Sequence, residues 1–332
     1  MNEAMRICLI INPTAGQKVG LTTNALGLDE VRALLERHQI EADVFCTEHA
    51  GHATELAQQA ARDGYDIAIA AGGDGTVAEV AEGLVGTRVE LGVLPLGSVM
   101  NVARMLGIPR DLDEAANVIM ARRVARIDVG RARTQSRNTF FLEAAGIGVD
   151  AGVFAYFNQL DRGNWRSIKP LLTFMWRSRP RRVVLRLDGR VRRFRAMMVT
   201  VANGPYLGAA LTLAPDARLD DGFFDVQVFT HFGKFELARH LLSISGGKRV
   251  YSPKVLSFHA RTVEIQAPRP MMAHADSNPL GTTPARFEVV PAALSVIVGG
   301  EADSLPALTK EPVVTEPLVE ADTASAPAAA AS

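Results

Sequence analysis

Residues 65–84 read YDIAIAAGGDGTVAEVAEGL, and this stretch decides the fold. From Tyr65 to Ala71 the run is apolar and short, the pattern of a strand buried on both faces of a sheet. It passes straight into Gly72-Gly73-Asp74-Gly75-Thr76, after which Val77, Val80, Ala81 and Leu84 recur at helical spacing. Three glycines within four residues at a strand's carboxyl end let the backbone approach a phosphate with its amides turned inward. The start of the helix adds a partial positive charge. The plainer alternative is a tight turn in which Asp74 caps the helix.

Strand and helix signals alternate on both sides of this unit through residue 127, as they do in a mostly parallel, helix-flanked sheet. Strands are predicted at Arg6–Ile11, Ala42–Cys46 and Leu91–Leu94, and helices at Ala53–Arg62, Ser98–Leu106 and Leu112–Ala121. Two more glycine-containing loops, Asn12-Pro13-Thr14-Ala15-Gly16 and Pro95-Leu96-Gly97-Ser98, also follow strands. Parallel strands put all three loops on one rim, where an open α/β sheet binds a nucleotide.

From about Asp128 the period changes to short β-rich runs: Val183–Leu187, Met197–Val201, Phe224–Phe229 and Val263–Gln266. Asp188-Gly189 between two such runs predicts a hairpin. A helix is expected at Phe235–Ile244, and a disordered, Pro- and Ala-rich tail beyond residue 300. The reading is an α/β domain over 1–127, a mainly β domain over 128–300 and a tail over 301–332.

Composition narrows the function classes. The chain has 332 residues, 48% of them hydrophobic, and its 36 basic and 36 acidic side chains cancel. Zero net charge removes overall charge as a basis for binding nucleic acid. The charge is nevertheless uneven: residues 122–195 carry 18 basic and 5 acidic side chains. Cys8 and Cys46 make neither a CxxC pair nor a disulfide framework, so no zinc site is indicated and the cytoplasm is the expected compartment. No apolar run reaches the length of a membrane span, so contact with lipid is expected from the surface alone. The basic run Arg177–Arg182, preceded by Leu171, Leu172, Phe174, Met175 and Trp176, suits an anionic membrane surface or, equally, a solvated face. No GxxxxGK[ST] motif is present, which excludes a P-loop site. Gly146–Gly152 approaches a dinucleotide fingerprint, but its third glycine comes one residue late and it reads as a structural turn.

Taken together, NPTAG (12–16), Thr47 ahead of AGHATELA (50–57), GGDGTVAEV (72–80), PLGSVMNVAR (95–104) and APDARLDDGFFDV (214–226) resemble the diacylglycerol kinase catalytic-domain family. The likeness is to its soluble bacterial lipid kinases, relatives of sphingosine and ceramide kinases, and runs from about Arg6 to Val298. It implies a Rossmann-like N-terminal domain followed by a β-sandwich-like domain, the two-domain architecture shared with NAD kinase. It implies ATP and Mg²⁺ as cofactors and a lipid hydroxyl, by default that of diacylglycerol, as acceptor at a membrane surface. A second copy of the chain is a candidate partner, and nucleic acid is not.

The resemblance places ATP on Asn12, Pro13, Thr14, Ala15, Gly16, Thr47, Gly72, Gly73, Asp74, Gly75, Thr76, Glu79 and Ser98. It places a magnesium ion on the Asp221 side chain and the carbonyls of Arg218 and Phe223, a hard-oxygen set suited to that ion. A solvated Asp-Gly turn is the alternative there. Three departures stand out. Ala78 replaces the usual Asn, and Ser98-Val99-Met100-Asn101 replaces TAND. Asp276-Ser277-Asn278 replaces an Asp-Gly-Glu whose Glu serves as general base. Asn accepts no proton at neutral pH, so the catalytic role is expected to fall to Asp74 or Asp276. His274, near in sequence, reads as a structural residue or a substitute base. The alternatives to a lipid kinase are an NAD kinase-like enzyme acting on a soluble hydroxyl, and a catalytically weakened lipid or nucleotide sensor.

Overall fold

The structure is a computed structural model and describes residues 5–13, 15, 27–97, 99–148, 179–207, 211–212, 214–230, 255–276 and 278–300. Thr14, Gly16, Ser98, Ser277, the apolar stretch 171–176, the predicted helix 235–244 and the tail lie outside the described residues.

The first part alternates β1 (Ile7–Ile11), α1 (Leu28–Arg37), β2 (Ala42–Cys46), α2 (His52–Arg62), β3 (Ile67–Gly72), α3 (Asp74–Leu84), β4 (Glu90–Pro95), α4 (Asn101–Met105) and α5 (Leu112–Ala121). Strands β2-β1-β3-β4 lie side by side and parallel. Every residue of β1 and β3 is buried, as continuous apolar runs covered by helices on both faces must be. The predicted helix at 98–106 begins only at Asn101, because Met100 adopts a left-handed conformation (φ 57°) that no helix continues through.

The second part comprises β5 (Val124–Arg133), β6 (Asn138–Phe141), β7 (Ala144–Gly148), β8 (Arg181–Leu187), β9 (Arg190–Ala196), β10 (Met198–Ala202), β11 (Tyr206–Leu207) and β12 (Leu211–Thr212). It continues with β13 (Phe224–Phe229), β14 (Val255–Ala260), β15 (Thr262–Gln266), β16 (Met272–Ala275), β17 (Asn278–Thr282) and β18 (Ala285–Ile297). An antiparallel sheet runs β14-β13-β10-β7-β16-β17. Asp188 and Gly189 both take positive φ, the geometry that a two-residue hairpin between β8 and β9 requires.

One strand belongs to both parts. The carboxyl end of β18 lies parallel to β4 through Ser295 and Val296, its amino end pairs with β15, and both ends pair with β5. Leu294, Val296 and Ile297 enter the first core, and Ala285 and Phe287 the second. The α/β sheet is therefore closed by a strand some 200 positions beyond β4, and the boundary placed at 127/128 falls inside β5. The register of β18 against β5 shifts between Val290 and Leu294, where Ala292 has φ 46°. This bulge turns the strand from one core to the other.

Candidate functional site

The loops after β1, β2, β3 and β4 meet on one rim because their strands are parallel and adjacent. The Asn12 amide donates to the Ala71 carbonyl (3.1 Å), that of Thr47 to Ile11 (2.9 Å) and that of Leu96 to Gly72 (3.0 Å). Asn12 Nδ2 reaches Thr76 Oγ1 at 3.5 Å. The loops approach so closely that side chains are excluded: a Cβ on Gly97 would lie 2.7 Å from the Gly73 Cα, and one on Gly72 would lie 2.5 Å from Thr76 Oγ1. A Cβ on Gly75 would meet nothing within 4 Å, so the first turn of α3 is open on that side. This is a cradle of backbone amides at a helix start, suited to an anion. Pro13 and Ala15 lie on the loop after β1, and Ala15 N donates to the Asn12 carbonyl (3.0 Å). Glu79 sits more than a turn into α3, its carbonyl accepting from Thr54 Oγ1 (2.9 Å) of α2.

Asp74 opens α3, yet its carboxylate does not cap its own helix. Asp74 Oδ1 accepts from Val102 N (3.1 Å), and the amides of Met100 and Asn101 also bond to it. It thus ties the start of α4 to the start of α3. Burial raises its pKa, while those three amides and the charge of Arg110 oppose the shift.

Asp276 stands at the tip of the β16–β17 hairpin with φ 43°. Its Oδ2 accepts from Leu142 N (2.8 Å), and its Oδ1 from Glu143 N (2.9 Å) and Ala144 N (3.2 Å). Three such bonds ordinarily depress a carboxyl. Here burial outweighs them and, with the nearby Asp74 charge, pushes the group up to about 6. The structure therefore brings Asp74 and Asp276 into electrostatic contact, each anchored by backbone amides on its own side. Asn278, by contrast, is exposed on β17, and His274 is buried on β16.

Asp221 lies in a second acidic group. Its Oδ1 accepts from Phe223 N (2.9 Å) in a local turn. Burial, then the charges of Asp225 and Asp128, push it up to about 6. A carboxylate raised by burial and by neighbouring negative charge is a donor that a dication would relieve, so the turn with Arg218 and Phe223 fits a hard cation. Asp128 secures that turn, accepting from Gly222 N (2.6 Å) and from Ala292 N (2.8 Å) at the β18 bulge.

Among the described residues, His49, His52 and Glu55 bring three ligand atoms within 4.8 Å of one another beside Thr47. The His52 Nδ1 lone pair already accepts from Glu48 N (3.1 Å), which leaves that ring no ready donor for a metal.

Sequence reasoning missed three buried polar residues at the junction: Asp128, Glu143 and Asn203. Glu143 Oε2 accepts from Asn101 Nδ2 (2.8 Å). Asn203 Nδ2 donates to the carbonyls of Asp128 and Leu142 (both 3.1 Å), and its amide to the Glu143 carbonyl (2.9 Å). Each is a lone polar residue inside an apolar β run, RIDVG, FFLEAAG or TVANG, and that interruption is the signal that marks them.

Comparisons with known proteins agree with this geometry. Residues 6–132 match the family Diacylglycerol kinase catalytic domain, and residues 144–298 match the YegS C-terminal NAD kinase beta sandwich-like domain. A diacylglycerol kinase of Staphylococcus haemolyticus is 30% identical over 303 residues, covering 85% of this chain and 86% of the relative. The crystal structure of a diacylglycerol kinase from Bacillus anthracis aligns with a TM-score of 0.68 at 25% identity, over 89% of this chain and 97% of the other. An NAD kinase from Archaeoglobus fulgidus in complex with ATP shares the fold at 14% identity with a TM-score of 0.50, over 88% and 93% of the two chains.

Proposed function

Because this chain belongs to the diacylglycerol kinase catalytic-domain family, and so to a family of lipid kinases, we propose that it transfers the γ-phosphate of ATP to a lipid hydroxyl, diacylglycerol being the first acceptor to test. The observation that carries this reading is the amide cradle at Gly72–Thr76, whose own Asp74 is set against Asp276 at the junction of the two parts. Bound ATP would supply the transferable phosphoryl group and Mg²⁺ the charge that neutralises it. The residues that would hold them are the β1, β2, β3 and β4 loops for the nucleotide, with Asp74 beside its phosphates, and Asp221 for a structural cation.

The chain's own part in phosphoryl transfer is positioning and electrostatics. The first amides of α3 attract the phosphate charge. Asp74 and Asp276, mutually repelling and partly buried, hold a proton more tightly than free carboxylates do, so one of them is suited to accept the acceptor's hydroxyl proton near neutral pH. A loose transition state asks little of a base until late, which makes the absence of a carboxylate at Asn278 compatible with turnover.

The acceptor would be reached from an anionic bilayer. The β8–β9 hairpin, residues 181–196, has seven arginines, all exposed, against one acid, Asp188. Arg182 stands directly opposite Arg195, a repulsive pair that a layer of anionic headgroups would relieve.

Transfer of labelled γ-phosphate into a total lipid extract tests the kinase reading. Turnover by the wild type and a loss of about 100-fold or more in Asp74→Ala are expected. ATP binding without transfer to any lipid would instead make the chain a sensor, and transfer to a soluble hydroxyl alone would make it an enzyme of the NAD kinase kind.

A further inference from the structure

The pattern to which residues 95–104 are similar has an aspartate where this chain has Asn101, and the pattern around 276–278 has a glutamate where it has Asn278. Two carboxylates are thus replaced by amides, one opening α4 and the other opening β17. Beside one of those amides stands a buried carboxylate. Glu143 sits at the corner between β6 and β7, is only 5% exposed, and accepts from the Asn101 side chain at 2.8 Å. A buried carboxylate is costly unless it is bonded, so its retention in an apolar corner calls for a reason beyond packing.

The connections of Glu143 supply one. Its side chain holds Asn101, whose amide, with those of Met100 and Val102, binds Asp74. Its own amide donates to Asp276 at 2.9 Å. Its carbonyl accepts from the amides of Asn203 and Gly204, both at 2.9 Å, which fixes the corner from β10. One residue therefore touches the support of both members of the carboxylate pair, the first through its side chain and the second through its backbone. The Asn101–Glu143 bond also joins α4 of the α/β part to the β-rich part.

We propose that Glu143 is a positioning residue for phosphoryl transfer: through Asn101 and its own amide it sets Asp74 against Asp276, and its carboxylate, which only accepts, fixes which way the Asn101 amide faces. This rests on the kinase reading above. Glu143 acts through its neighbours and is not assigned to the reacting atoms.

Four proteins, each checked for an unchanged melting curve, test it by their steady-state kinetics: the wild type, Glu143→Gln, Asn101→Asp, and the double variant. Glu143→Gln keeps the size but can donate as well as accept, so it no longer fixes which way the Asn101 amide faces, whereas a merely space-filling role would survive it. A fall in kcat of about 10- to 100-fold with KM for ATP within about twofold is expected instead. Asn101→Asp sets two carboxylates at hydrogen-bond distance and is expected to lose activity as well. The double variant restores one carboxylate and one amide in the reverse order and is expected to recover most of the rate lost in each single variant, a coupling that independent effects would not produce. Wild-type kcat in Glu143→Gln, or a double variant no better than the worse single one, would overturn the proposal while leaving the kinase reading intact. An inactive wild type would instead overturn that reading, and this proposal with it.

Discussion

Asp221 shows how a single residue can report on the proposed chemistry without a turnover assay. An aspartate ordinarily releases its proton near pH 3.9, roughly two pH units below the folded value here of about 6. Between those two values the folded chain holds a proton that the unfolded chain has lost. The contribution of Asp221 to stability therefore falls as pH rises through that window and stays low above it. A bound dication reverses this penalty only where the carboxylate is ionised. Magnesium is accordingly expected to raise the melting temperature more at about pH 8 than at about pH 5, with about 2–4 °C for each kcal/mol gained. Asp221→Asn should remove the difference. Equal shifts at both pH values, or a wild-type response in the variant, would show that Asp221 is not a ligand. The residue was legible in the sequence as Asp-Gly turn chemistry, but its elevated pKa was not, since burial is the main cause and Asp128 reaches it only through the fold.

Among the elements, the β8–β9 hairpin carries the sharpest physical oddity. Alternation along its strands puts Arg182, Arg186, Arg193 and Arg195 on one face with the exposed Val191. Of these, Arg186 has an acidic neighbour, Glu264 at 3.7 Å. β9 is also the end strand of its sheet, and charge on an edge deters pairing with another chain as well as attracting anions. Co-sedimentation with vesicles separates the two roles. Binding to vesicles rich in anionic lipid is expected to weaken with added salt, and to fall by about 10-fold or more when Arg182→Glu and Arg195→Glu are combined. Salt-independent binding, or a double variant that sediments like the wild type, would remove the hairpin from the docking surface. The sequence showed the basic run and the turn at 188–189. Which arginines share a face follows from the register of β8 against β9.

At the scale of the whole molecule, β18 makes two cores into one structure. A fragment ending at residue 127 keeps every residue of the parallel strands β1 to β4, yet loses the strand beside β4 and the packing of Leu294, Val296 and Ile297. Such a fragment is expected to show no cooperative urea transition, whereas the full chain unfolds in a single step seen alike by fluorescence and circular dichroism. A cooperative transition in the fragment would make the first part an independent domain. The local signals, continuous apolar runs, helical stripes and glycines after strands, determined the α/β alternation, the amide cradle around Asp74 and the change to β structure after 127, because each is a property of neighbouring residues. The closing of the first sheet by β18, the anchoring of Asp276 by the 142–144 amides, and the meeting of Asn101 with Glu143 were decided only in three dimensions. Each joins segments 42 to more than 200 residues apart, and burial and charge at such contacts depend on what the fold sets alongside them.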